Sequence, residues 1–137
     1  MSMPEINFAI QTSIFAVALI SMAFRMKGNY FWHGITMLVA VIGVFVVFGI
    51  ASPLFLDSAY TQTLTSPTLN LAVFGLHAFF GIATAVSGVW LVALWRPHST
   101  SFPVTSKTIA KITVSLWITA YIVGIVLFVT LNTTLFG

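Results

Sequence analysis

The chain has 137 residues, 59% of them hydrophobic and only 5% charged, with a formal net charge of +3 and no cysteine. Soluble domains carry about 25% charge, so this composition predicts a single all-α domain built into a membrane. Without cysteine there are no disulfides, thiolate zinc sites or iron–sulfur clusters, and five bases are no more than membrane orientation requires, so no nucleic-acid partner is implied.

Ser2 and Glu5 have the spacing of a capping box, which predicts a helix start near Met3. The first apolar run, at about 5–24, stops at the cluster Arg25, Lys27, Gly28, Asn29. At ~1.5 Å per residue such a run just crosses a ~30 Å hydrocarbon core. Its start carries Glu5 and no base, and no clear cleavage site follows, so a signal peptide is not expected. The second run, about 31–52, opens on the interfacial aromatics Tyr30, Phe31 and Trp32 and is expected to break at Pro53. A Thr-rich loop with Asp57 follows. Ser66 and Pro67 form an N-cap and first-turn proline for the third run, about 68–95. A second polar loop holds Arg96 and His98. Thr105 or Ser106 is the expected cap of the fourth run, about 107–133, where Lys107 and Lys111 can snorkel to the headgroups.

The charges sort by sign. If every run crosses the bilayer, all five bases face one side and Glu5 and Asp57 the other. The basic side is then cytosolic, which predicts an antiparallel four-helix bundle in the plasma membrane with both termini outside.

Lipid tails are as apolar as leucine, so small and polar residues must hold such helices together. The third run has His77, Gly81, Thr84 and Gly88 at helical spacing; the fourth has Trp117, Tyr121 and Gly124 on one side. These six non-histidine positions are the expected packing face, with Trp117 set against the groove between Gly81 and Gly88. The same stripes are compatible with a cofactor-lined interior.

The three histidines carry the metal or proton chemistry open to the chain. His77 lies about ten residues into the third run, in apolar surroundings where a charged ring is costly. It needs a hydrogen-bond partner; Asn70, Thr84, Tyr121 or another subunit are the candidates. His33 sits at the inner end of the second run, on the order of 20 Å from His77 along the helix axes, too far to share a metal. Met22, Met26 and Met37 offer soft copper ligands near the inner face. Paired carboxylates, phosphate loops and serine-nucleophile motifs are missing, so the chain is poorly equipped as an enzyme on its own.

Three segments carry a family likeness: Arg25–Lys27–Gly28 with His33 and Met37; Leu76–His77 with Gly81 and Ala83; and Lys107, Ala110–Lys111, Leu116–Trp117 and Gly124. On these the chain resembles the CtaM-like family of small four-helix membrane proteins, associated with assembly of haem–copper oxidases. The resemblance implies His33 and His77 as suspected haem or metal ligands. Two other histidine positions of the family are replaced here, at Ala51–Ser52–Pro53 and Ser106–Lys107–Thr108.

The expectation is therefore a non-catalytic accessory or assembly subunit of a membrane respiratory complex, foremost a haem–copper-type oxidase, with other membrane subunits and the lipid bilayer as partners. Two alternatives stand beside it. One is a haem-b- or copper-binding electron carrier using His77. The other is a structural subunit of another membrane oxidoreductase or monooxygenase.

Overall fold

The computed structural model describes residues 3–55, 67–95 and 104–132. It is all-helical there: α1 (Met3–Met26), α2 (Tyr30–Phe55), α3 (Pro67–Leu94) and α4 (Val104–Asn132). Each helix is long and apolar enough to cross a membrane. Ser2, Asp57, Ser66, Arg96 and His98 lie outside the described residues.

Local chemistry sets the first turn. Gly28 adopts a left-handed φ of 72°, open to glycine at little cost. Its N–H bonds the Arg25 carbonyl at 3.0 Å, and the Asn29 N–H bonds the Phe24 carbonyl at 2.9 Å, which closes α1. The Asn29 side chain then accepts from the Trp32 N–H at 3.3 Å and caps α2. Glu5 in the first turn of α1 and Arg25 in its last both suit the helix dipole.

Two boundaries differ from the sequence expectation. α2 runs through Pro53 to Phe55; a proline deletes one backbone hydrogen bond, and near a helix end that loss need not stop the helix. α4 begins at Val104, and the Ser106 hydroxyl is buried with no hydrogen-bond partner among the described residues, so Ser106 is not a cap there.

α1 packs closely on α2 and α3 on α4, while the two pairs touch more sparsely through α1–α4 and α2–α3. Residue pairs run in opposite chain directions at the α1–α2, α2–α3 and α1–α4 seams. Ser21 meets His33 and Ile14 meets Gly43. Gly34, Gly88 and Gly81 pair with Trp95, Val41 and Phe48. Phe8 stacks on Phe128 and Phe15 on Tyr121, each at 4.4 Å between centroids.

A buried plug of Ala18, Ala40 and Trp117, wrapped by Ile14, Phe15, Met37 and Val44, fills the middle. It divides the space between the two helix pairs into two cavities, one on each side along the helix axes. Large apolar side chains such as Leu71, Phe79, Val86 and Trp90 stay exposed on the outside of α3. Hydrocarbon tolerates that surface; water does not.

Candidate functional site

The larger cavity has a volume of about 420 Å³, within the usual ~300–1,000 Å³ of ligand pockets. All four helices line it: Gln11 and Ile14 from α1, Val44 and Phe48 from α2, His77 and Gly81 from α3, and Trp117 and Tyr121 from α4. Its walls are mostly hydrocarbon and aromatic, with a few polar groups, the composition of a site for an apolar ligand with one polar attachment.

His77 supplies that attachment. Its Nδ1 lies 3.0 Å from the carbonyl oxygen of Ala120 on α4. A carbonyl only accepts, so Nδ1 carries the proton and donates. In the neutral ring Nε2 then holds the lone pair, the arrangement that prepares a histidine to ligate a metal or to accept a hydrogen bond. No bond to Nε2 is found among the described residues. The ring reaches Ala120 because the next turn of α4 is Gly124: a Cβ there would stand 2.9 Å from His77 Cε1 and 3.2 Å from Nδ1. Of the partners expected from sequence, Thr84 and Tyr121 bond elsewhere. Tyr121 meets Thr12, 3.0 Å between oxygens, and since the Thr12 hydroxyl already donates to the Phe8 carbonyl, Tyr121 is the donor. Thr84 is buried and donates within its own helix, to the Phe80 carbonyl. The side chain of Asn70 lies outside the described residues.

The small-residue stripe is used differently from the expectation. Trp117 does not fill the groove of α3. Phe48 of α2 stands 3.1 Å from where a Gly81 Cβ would be, and Val41 stands 2.9 Å from that of Gly88. Trp117 instead packs with Ala18 and Ala40 in the central plug. The reason is the side of α3 on which these two glycines lie: Gly81 and Gly88 face α2, while α3 packs more closely on α4 through other positions.

His33 is tied to α1. Its Nδ1 lies 2.9 Å from the Ser21 carbonyl and 2.7 Å from Ser21 Oγ, while the Ser21 hydroxyl donates to the His33 carbonyl at 2.9 Å. Ser21 is fully buried. His33 and His77 line different cavities, so they serve no common ligand. Ser21→Ala is expected to cost only about 1 kcal/mol, in keeping with interhelical side-chain bonds in membranes, because the Ser21 carbonyl still holds the ring. Reversible unfolding in mixed micelles measures it; a parental stability would mean that the hydroxyl adds nothing.

Among the described residues no group of three His, Asp or Glu side chains is placed to hold a metal ion. The larger cavity offers one imidazole nitrogen and no methionine. A bare copper ion wants two or three soft donors, so these residues do not fit it. A haem would need a nitrogen ligand, apolar walls and polar partners for its two carboxylates: His77 would supply the first, Val44, Phe48, Phe74 and Trp117 the second, and Gln11 and Tyr121 are the uncharged polar groups at hand for the third. Met22 and Met37 line the smaller cavity with His33, but Arg25 and Lys107 line it too, which opposes a metal cation.

Sequence reading missed Gln11 and Ser21. An uncharged polar residue within an otherwise apolar run was the available signal in both. Gln11 Nε2 donates to Asn7 at 3.2 Å and the residue lines the larger cavity.

No family model, no curated protein and no solved structure matches the chain.

Proposed function

We propose that this protein is a non-catalytic accessory or assembly subunit of a membrane respiratory complex, and that its working part is the cavity at His77, which holds one apolar ring-shaped ligand, haem b foremost. The observation that carries the ligand reading is the His77–Ala120 bond at 3.0 Å, which dedicates Nε2 to a ligand beside a cavity of about 420 Å³. The oxidase assignment rests on the CtaM-like resemblance of the segments around His33, His77 and Lys107. A bound haem would supply an iron centre for one-electron chemistry; the chain itself would supply the His77 imidazole nitrogen, the Ala120 carbonyl that orients it and the apolar walls.

The proposal places the chain as an antiparallel bundle in the plasma membrane. Arg25, Lys27, Arg96, Lys107 and Lys111 face the cytosol, and Glu5, Asp57 and both termini face outward. Two features support this: the contacts between α1 and α2, α2 and α3, and α1 and α4 run in opposite chain directions, and Arg25 and Lys107 line one cavity at the far end of α1 from Glu5.

Haemin titrated into the purified protein tests the ligand. A Soret shift saturating near one haem per chain is expected, lost in His77→Ala and kept in His33→Ala. No shift in the parent protein, or an equal shift in His77→Ala, defeats that reading. Copurification from gently solubilised membranes tests the partner, and failure to recover any respiratory subunit defeats the accessory role.

A further inference from the structure

The smaller cavity lies on the other side of the Ala18–Ala40–Trp117 plug, at the basic end of the bundle. Arg25 from the last turn of α1 and Lys107 from the first turns of α4 both line it, with His33, Trp95 and Ser106. Two cations thus converge on one space. Among the described residues the only acid is Glu5, at the opposite end of α1, so no carboxylate there answers them.

Two further atoms point to a ligand. The Ser106 side chain is 1% exposed, and its hydroxyl has no hydrogen-bond partner among the described residues. The Trp95 indole Nε1 is buried without one as well. Buried polar atoms are normally paired, and here the two residues that carry orphaned O–H and N–H donors both line the cavity that two cations line. Ser106 also sits in the first turn of α4, where the dipole favours an anion. The volume of about 40 Å³ has room for roughly three water-sized groups, the scale of a phosphate's oxygens. Met22, Met37, Leu91, Val92 and Val114 make the rest of the lining apolar.

We propose that this cavity is a binding site for a phosphate group, taken from the headgroup of an anionic phospholipid in the leaflet at the basic end. Arg25 and Lys107 neutralise the phosphate, and the Ser106 hydroxyl and the Trp95 indole N–H turn to donate to its oxygens. The site is separate from the His77 cavity and does not depend on the ligand there.

The test uses the full chain in detergent micelles and native mass spectrometry with phosphatidylglycerol, phosphatidylcholine or inorganic phosphate. Phosphatidylglycerol is expected to be retained about 10-fold better than phosphatidylcholine, from charge-assisted hydrogen bonds that only the net anion draws fully. That preference falls to about 2-fold or less in Arg25→Gln/Lys107→Gln, and Ser106→Ala weakens retention about 3-fold or more. Ala110→Phe, which fills the cavity without changing charge, abolishes the preference, with helix content checked by circular dichroism. Lys111→Gln removes a neighbouring base that does not line the cavity and keeps the preference. Millimolar phosphate that displaces the lipid supports the phosphate cradle and reassigns its source to the free ion; phosphate that does not compete supports the lipid. Equal retention of the two lipids, or a loss in Lys111→Gln equal to that in Lys107→Gln, overturns the proposal.

Discussion

A Gly34→Ala chain is expected to lose about 1–3 kcal/mol of stability, the usual cost of forcing a methyl group into occupied space. The added Cβ would overlap the Trp95 indole, at the edge that carries Nε1. That ring is wedged between α2 and the end of α3, with Phe31 tilted against it at 6.3 Å between centroids. Among the described residues its nitrogen has no hydrogen-bond partner, so packing against them holds it. The ring must therefore leave, and α2 and α3 part at the basic end. Reversible unfolding in mixed micelles reads the loss. A Gly34→Ala/Trp95→Ala double variant should be no less stable than Trp95→Ala alone, because the clash then has no second partner. Additive losses in the double variant would refute the clash. If the phosphate cavity is real, Gly34→Ala also loses the preference for phosphatidylglycerol, since Trp95 is one of its walls.

Gly124→Val is expected to cost a similar amount, about 1–3 kcal/mol, and to lower haem affinity at least 10-fold, or about 1.4 kcal/mol. The first carbon added would press on His77 at Cε1 and Nδ1, and lies 3.6 Å from Gln11 Oε1. Nothing flexible is available to yield: the ring is bonded to Ala120 one turn away on the same helix. Pushing it out breaks that bond, frees the tautomer and empties the cavity of its polar attachment. Gly75→Ala is the matched control. Its Cβ would meet nothing within 4 Å, so it should be neutral or slightly stabilising, as alanine is the better helix former. If Gly124→Val unfolds no earlier than Gly75→Ala and binds haem like the parent, the His77–Gly124 contact has no importance. A stable Gly124→Val that fails to bind haem would still support the cavity, because stability and ligand affinity are read separately.

Haem titration of Gly124→Val and lipid retention by Gly34→Ala probe opposite sides of the central plug. Ala18, Ala40 and Trp117 separate the two cavities. A lesion on one side should leave the ligand of the other side bound, provided the bundle stays folded.

Hydropathy and charge made the class of this protein legible. Four apolar runs, with Arg25–Lys27 and Arg96–Lys111 between alternate pairs, can satisfy their backbone polar groups in hydrocarbon only as helices. Gly28 and Asn29 likewise announced the first turn, because a left-handed φ and an N-cap are local chemistry. Pro53 misled: the rule that proline breaks helices concerns helix interiors, and α2 ends only at Phe55. Ser106 misled in another way. Its type and position suit a cap, but its hydroxyl bonds nothing among the described residues and the residue lines a cavity instead.

His77, Gly81, Gly88 and Gly124 stood out in the sequence as polar and small residues at helical spacing. Which helix each would meet did not, since spacing within a helix is indifferent to its neighbour. Gly34 gave no signal at all, because its meaning comes from a tryptophan on another helix. Hydrophobic length and charge position act residue by residue, so four helices long and apolar enough to cross a membrane, with bases gathered in alternate gaps, could be read directly from the residues. Packing alone brings Ala120 to His77, Ser21 to His33, and Arg25, Trp95, Ser106 and Lys107 to one cavity. In each case the partner is a backbone carbonyl or a residue on a distant helix, and its approach depends on how the helices rotate and pack in an apolar medium that favours no face by hydrophobicity.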